Sequence, residues 1–201
     1  MNVAKENPDK ILKNIKLLLS LGVKDRKHGF HTPIFSNINS NLDINSRVVV
    51  LRNFDTKNNI ISFHTDYRSK KILEIKKNSN SFFVFYDYKE KIQLRIKTIS
   101  SIHHKDDIAL HAWKKTKLPS RKCYLSTKAP SSKTHLAEDS IPNHLIGIDP
   151  KKEESEIGYN NFTVVSNKIQ NIDWLNLSFS GHRRLRIVIN PRNIKYSWLI
   201  P

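Results

Sequence analysis

Short apolar runs of strand length recur along the sequence, and turn-forming residues separate them. Eight such runs are found, at 46–54, 60–65, 81–88, 91–99, 162–166, 171–179, 183–189 and 194–200. The residues between the first two runs, Asp55 to Asn59, end in two Asn, which accept the positive φ angles of a tight hairpin. Consecutive hairpins of this kind predict a mainly β protein whose antiparallel sheet closes, or half closes, into a barrel.

Three stretches are predicted to form helices that cover the barrel: 9–22, 68–77 and 105–118. Each carries apolar side chains at helical spacing among charged ones. The first has Asn7 or Asp9 as a candidate cap and Gly22 as a candidate stop. These peripheral helices complete a prediction of β structure with small α elements.

Two long stretches carry little periodic signal. Residues 23–45 are polar and turn-rich, and they are predicted to form a loop that leads into the first strand. Residues 119–161 are rich in Pro, Ser, Lys and Glu and are predicted to form an irregular insertion. A loop this long in a compact domain usually has a function or is partly disordered. The chain length of 201 residues predicts a single domain spanning 1–201.

The chain is strongly basic, because 35 Lys and Arg against 18 Asp and Glu give a net charge of +17. Such a balance is typical of proteins that bind nucleic acid or another polyanion. The Lys residues are spread along the chain, however, without zinc-finger spacing or an aromatic RNA-recognition signature. Diffuse solvated charge is therefore favoured over nucleic-acid binding. A basic β-barrel that binds nucleic acid, or acts as a scaffold without a cofactor, remains the alternative.

The remaining bulk features predict a cytoplasmic protein that does not enter the membrane. The only cysteine is Cys123, so an internal disulfide is impossible, which suits a reducing compartment. No apolar run approaches the length of a membrane span, and the first residues lack a secretory pattern. The histidines lack carboxylate or Cys companions at ligand spacing, so no metal site is predicted.

Cationic side chains stand at the ends of two of the predicted strands. Arg47 and Arg52 bracket an apolar segment, as charged residues at the solvent boundaries of any buried strand also do. Ser69, Lys70 and Lys71 follow the next strand at the start of a helix, where backbone N–H groups and cations favour an anion. Together these segments predict a site for a compact anion such as a phosphate.

Gln93 lies in the middle of the run 91–99, among apolar and cationic residues. A Gln in a strand usually faces solvent. Its amide can also donate to and accept from the polar edge of a flat heterocycle. Both interpretations of Gln93 stay open on the residues alone.

The order of these motifs resembles that of the pyridoxamine 5′-phosphate oxidase-like family of FMN-binding split barrels, its uncharacterised branch more than the true oxidases. The shared motifs are the strand Arg47 to Arg52, the pair His64-Thr65, the turn Ser69-Lys70-Lys71, and Gln93 on the following hairpin. The C-terminal residues Trp174, His182 to Arg184 and Trp198 to Pro201 also resemble the closing pattern of the family.

The resemblance implies a homodimeric, cytoplasmic flavoprotein with FMN at the subunit interface. It implies an oxidoreductase that transfers hydride through flavin N5, acts on a small-molecule substrate, and uses His182 for substrate contact. It also implies that Trp174 and Arg184 reach the flavin from the second subunit. The cofactor-binding residues that it implies are Arg47, Val48, Arg52, His64, Thr65, Arg68, Ser69, Lys70, Lys71, Gln93, Trp174 and Arg184.

The sequence departs from the true oxidases where their substrate is held. Those enzymes grip the substrate phosphate with a Tyr, an Arg and a Ser at helical spacing, and the nearest counterparts here are Trp113, Lys117 and Arg121. Ser180 stands where the oxidases have an Arg two residues before the His. The departures argue against pyridoxamine phosphate as the substrate and leave the substrate undefined.

Overall fold

The structure is a computed structural model, and it describes residues 6–135 and 137–201. Its strands are β1 (Ile34–Ile38), β2 (Ile44–Val48), β3 (Asn53–Asp55), β4 (Ile60–Asp66), β5 (Asn80–Asp87), β6 (Ile92–His103), β7 (Phe162–Asn176), β8 (Arg183–Ile189) and β9 (Ile194–Leu199). Its α-helices are α1 (Pro8–Lys24), α2 (Lys70–Lys77), α3 (Asp107–Lys115), α4 (Leu118–Arg121) and α5 (Lys152–Ser155). Three short 3₁₀ helices span Lys122–Leu125, Asn143–Leu145 and Glu156–Asn160.

The strands form one antiparallel sheet in the order β2-β1-β5-β6-β7-β4-β3. Strand β8 pairs with the C-terminal half of β7, and β9 pairs with β8. The two edge strands of this order, β2 and β3, are consecutive in the chain, and only residues 49–52 separate them. Backbone bonds from Leu51 to His31 and from Arg52 to Ser62, both 2.8 Å, continue the pairing through that segment. The sheet therefore curls back on itself, and the predicted fold class is confirmed.

One face of the curled sheet holds the main core. Phe35 lies 4.9 Å from Phe63 and 5.1 Å from Phe83 between ring centroids, and all three are buried. Helix α1 packs an apolar stripe that includes Ile15 and Leu19 against this core. Successive side chains of a strand point to opposite faces of the sheet, so one residue faces the main core and the next faces outward.

Helix α1 continues through Gly22 to Lys24, so the prediction that Gly22 ends the helix is wrong. Gly22 has another role: a Cβ at this position would lie 2.9 Å from the backbone of Phe30. The missing side chain lets the last turn of α1 approach the buried Phe30 closely, and helix propensity alone does not reveal that contact.

The predicted strand 46–54 is divided into β2 and β3, and two further differences from the prediction arise where buried polar residues interrupt the apolar pattern. Strand β1 lies within residues 23–45, which were predicted to be a loop, and its Asn37 is buried beside Arg47 and Glu74. Strand β7 is continuous, although two strands were predicted there. Its Asn167 is buried and bonds Ile61 O at 3.2 Å.

The insertion forms a second, smaller core on the other face of the sheet. Trp113, Tyr124, Phe162 and Val164 are buried together there, with Trp113 and Phe162 centroids 5.1 Å apart. Short helical turns joined by loops make up the described residues of 119–161. The insertion thereby covers the outer side of β4 beside His64, whose ring contacts Phe162.

Candidate functional site

Lys71 and Arg47 form a pair of cations at the end of the barrel beside α2. Lys71 Nζ donates to Thr65 Oγ1 at 2.9 Å and to Ser69 Oγ at 3.2 Å. Burial, followed by the nearby Arg47 guanidinium, lowers the pKa of Lys71. Two partly buried positive charges repel each other, and an anion bound between them would relieve this repulsion. We call Arg47, Thr65, Ser69 and Lys71 the phosphate cluster.

Arg47 is held in place by side chains of β1 and α2. Its Nη1 donates to Asn37 Oδ1, and its Nη2 lies 3.8 Å from the Glu74 carboxylate. Glu74 also accepts from Asn37 at 2.7 Å and from Asn45 at 2.8 Å. Asp66 and Glu74 both act on Lys71, and Asp66 is also paired with Arg68. Three cations thus face two carboxylates, so part of the positive charge stays available for a bound anion.

The structure separates the adjacent residues Arg68 and Lys70 from this cluster. The Arg68 guanidinium bonds Asp66 at 2.7 Å and the Ser126 carbonyl at 2.9 Å, so its donors tie the insertion to β4. Lys70 is exposed and makes no side-chain hydrogen bond with the described residues. Of the two lysines in the predicted turn, Lys71 therefore contributes to the cluster as the structure describes it.

Arg52 and His64 lie in a cleft on the opposite side of β4. The cleft has a volume of about 550 Å³ and runs between the C-terminal end of α1 and helix α3. Burial, and then the charge of Arg52, lower the pKa of His64 to about 4. The His64 imidazole is therefore neutral at pH 7, with one nitrogen able to donate and the other able to accept.

Gln93 and Arg184 share the outer face of the sheet. Gln93 lies opposite Leu175, and Leu175 lies opposite Arg184 on the next strand. The Arg184 guanidinium grips the Asp173 carboxylate through bonds of 2.9 and 2.7 Å, and Arg95 joins at 2.7 Å. Burial alone would raise the pKa of Asp173, but the hydrogen bonds from both arginines outweigh it and the pKa is lowered.

The three remaining predicted site residues occupy different settings. Val48, at the end of β2, is exposed on the outer face. Trp174 is only 5% exposed and packs in the main core opposite Leu94 and Leu185. His182 is exposed in the loop before β8. A single chain therefore does not bring all the predicted residues together.

Sequence reasoning missed the basic residues of α3 that face the cleft. His111 and Lys115 line it, whereas Trp113 and Arg121, proposed from the sequence as substrate-grip counterparts, are buried in the small core. Arg121 lies over the Trp113 ring and bonds its carbonyl at 2.9 Å. Lys117, the third counterpart, does line the cleft. The spacing of His111 and Lys115 is the sequence signal for them, because residues i and i+4 lie on the same face of a helix.

Among residues 6–135 and 137–201, no three His, Cys, Asp or Glu side chains come together as ligands for a metal ion. Within the same residues, every helix is too short or too polar to cross a bilayer.

Comparison with known proteins identifies the domain. Residues 15–104 match the family model of the pyridoxamine 5′-phosphate oxidase FMN-binding domain. A search of curated proteins found no match. Among solved structures, a pyridoxamine 5′-phosphate oxidase-related, FMN-binding protein from Nostoc punctiforme aligns with a TM-score of 0.74 at 18% identity, over 98% of this chain and 99% of its own. PhzG from Burkholderia lata, in complex with tetrahydrophenazine-1-carboxylic acid, aligns with a TM-score of 0.67 at 17% identity, over 100% of this chain and 95% of its own.

Residues 15–104 therefore form a pyridoxamine 5′-phosphate oxidase FMN-binding domain, whose cofactor is FMN, and the chain as a whole has the fold of these solved structures. The donor set of the phosphate cluster fits this cofactor, because a phosphate dianion matches two cations and two hydroxyl groups. The family match at residues 15–104 runs from within α1 to the end of β6, and every residue of the phosphate cluster lies within it.

Proposed function

We propose that the protein is a homodimeric, FMN-dependent oxidoreductase acting on a small-molecule substrate. The observation that carries the proposal is the orientation of two neighbouring residues of β4. Thr65 points to the phosphate cluster, and His64 points into the open cleft. A cofactor held at the cluster would thus lie beside a space large enough for a substrate.

The distribution of the predicted residues over two faces supports the homodimer. Arg47 shares the inner face with Phe35, whereas strand alternation places Gln93 and Arg184 on the outer face. Thr65 pairs with Thr163 and Gln93 pairs with Leu175, twelve residues further along β7, so a flavin held at the cluster would not reach Gln93 of the same chain. Gln93 and Arg184 of a second copy would complete the site, whereas Trp174 is buried in the main core of its own chain and would not reach it.

The outer face also has the apolar character of an interface. It exposes large side chains on three adjacent strands: Ile34, Ile44, Val48, Phe82 and Tyr86. A contiguous apolar surface of this kind is unusual on a monomer and typical of an association site. A second copy seated there would cover these residues and approach the site with its own outer face.

The residues of the chain would divide the work of binding and orientation. FMN supplies an N5 atom that accepts or donates a hydride. Arg47 and Lys71 would hold its phosphate together with Ser69 and Thr65. Arg184, fixed by Asp173, would place positive charge at the ring. His182 is our proposed substrate contact, since its exposed loop is free to reach a ligand.

Anaerobic mixing tests the proposed activity. We expect the FMN-loaded protein to lose its visible flavin absorption with NADH, NADPH or pyridoxamine phosphate faster than free FMN does at equal concentration. Bleaching no faster than that of free FMN with all three donors would contradict the activity and indicate a flavin-binding module. Steeply salt-dependent binding to nucleic acid by a colourless protein would instead favour the cofactor-free basic barrel.

A further inference from the structure

The cleft beside His64 carries a basic group on each of its two walls. The α1 wall consists of Lys24, Arg26 and His31, and the α3 wall consists of His111, Lys115 and Lys117. Arg52 and His64 lie on the floor between them. Two lysine or arginine side chains and one imidazole thus stand on each side of a single cavity.

The lysine and arginine side chains of the cleft lack partners among the residues that the structure describes. Across the described residues, the side chains of Lys24, Arg26, Arg52, Lys115 and Lys117 make no hydrogen bond or ion pair. The only carboxylate in the described lining is Asp55, which the backbone N–H and side chain of Asn58 hold in the hairpin turn. Concentrated, uncompensated charge in a concave site raises the local concentration of anions.

The α3 wall follows from the helix that presents it. Ile108, His111, Ala112 and Lys115 occupy positions i, i+3, i+4 and i+7, so one stripe of α3 faces the cleft. The opposite stripe carries Trp113 into the small core. The orientation of His111 and Lys115 is therefore fixed by packing on the far side of the same helix.

The α1 wall is built by the close approach of α1 to the chain that follows it. The ring Nδ1 of His31 lies 2.7 Å from the Gly22 carbonyl, which makes Nδ1 the donor and leaves Nε2 free. Gly22 permits this approach because it has no Cβ, and Lys24 and Arg26 follow directly at the helix end. This wall lies outside the α3 positions at which the true oxidases hold their substrate phosphate.

We infer that the cleft binds an elongated dianion, a substrate with one anionic group against each wall. As a statement about the substrate, the inference rests on the proposed oxidoreductase function. A monoanion would leave one basic wall without a counter-charge across the same cavity, whereas a dianion neutralises both. The volume of about 550 Å³ is that of a small-molecule site, so the dianion is a metabolite-sized molecule.

Calorimetric titration of the FMN-loaded protein with inorganic tripolyphosphate, a linear anion charged along its length, tests the inference. We expect Lys24→Ala/Arg26→Ala and Lys115→Ala/Lys117→Ala each to weaken tripolyphosphate binding about tenfold or more. The control Lys151→Ala/Lys152→Ala removes the same two charges from exposed positions and should change binding less than about twofold. All variants should bind FMN as the parent protein does.

Two outcomes would overturn the inference. If the α1-wall variant binds tripolyphosphate as tightly as the control, the ligand does not span the cleft. If all three variants weaken binding equally, the anion senses only the net charge of the protein. Failure of the proposed oxidoreductase function can be distinguished from failure of this inference. A protein without flavin activity would still bind tripolyphosphate more weakly when the cations of either wall are removed.

Discussion

Lys71→Ala is expected to weaken FMN binding by about 10- to 100-fold. The Lys71 ammonium group lies between the Thr65 and Ser69 hydroxyls and beside Arg47, where it would meet the cofactor phosphate. A hydrogen bond to a charged group contributes about 1.5–3 kcal/mol, which corresponds to that loss in affinity. The dissociation constant is measured by quenching of flavin fluorescence on addition of the apoprotein.

The adjacent Lys70 provides a matched control for Lys71. Lys70→Ala removes the same side chain from an exposed position outside the phosphate cluster, so we expect a change of about threefold or less. Riboflavin lacks the phosphate, and its affinity should be nearly the same for both variants. Equal losses of FMN affinity in Lys70→Ala and Lys71→Ala would contradict the assignment of the phosphate to this cluster.

Arg121→Ala is expected to cost about 3 kcal/mol of unfolding free energy. The Arg121 side chain is buried and bonds the carbonyls of Trp113 and Thr116, the Ser155 hydroxyl and the Glu156 carboxylate. Breaking a buried ion pair from one side costs about 3–5 kcal/mol. We expect the lower end of this range because the Glu156 side chain is 49% exposed and regains water. Urea unfolding followed by tryptophan fluorescence measures the change.

Arg192→Ala serves as the reference for that experiment. Arg192 is exposed and makes no side-chain hydrogen bond with the described residues, so its removal should change stability by less than about 0.5 kcal/mol. A loss below about 1 kcal/mol for Arg121→Ala would show that the insertion does not depend on this arginine. The difference between the two variants therefore measures how much Arg121 contributes to holding α3 against residues 155–156 of the insertion.

The strands were predictable because most of them are apolar runs bounded by turns. Strand β1 was not, since Asn37 is buried in the middle of it. Its amide is satisfied by Arg47 and Glu74, which lie 10 and 37 residues away in sequence. Local patterns do not report a polar side chain whose partners come from distant segments.

The cofactor half of the candidate site could be predicted better than the substrate half. Arg47, Thr65, Ser69 and Lys71 stand at strand and helix ends whose order is visible in the sequence, and the structure brings them together. The different settings of Lys70 and Lys71 were not visible in the sequence, because two adjacent lysines at the start of a helix differ only in the direction in which the helix points their side chains.

The substrate half failed at a helix boundary. A continuous helix from 105 to 121 would carry Trp113, Lys117 and Arg121 along one face, but α3 ends at Lys115 and α4 begins at Leu118. The break turns Arg121 into the small core over the Trp113 ring, at 4.4 Å from its centroid. The sequence likewise hid the concentration of diffuse positive charge into one cleft, because α1 and α3 are far apart along the chain.

Native mass spectrometry of the protein incubated with FMN tests the central claim most directly. Each site would take its phosphate grip from one chain and Gln93 and Arg184 from the other, so we expect a dimer that carries two FMN molecules. The Arg47→Ala/Lys71→Ala variant should form the same dimer with little or no FMN. A protein without bound FMN, or FMN bound to single chains as tightly as to dimers, would contradict the account.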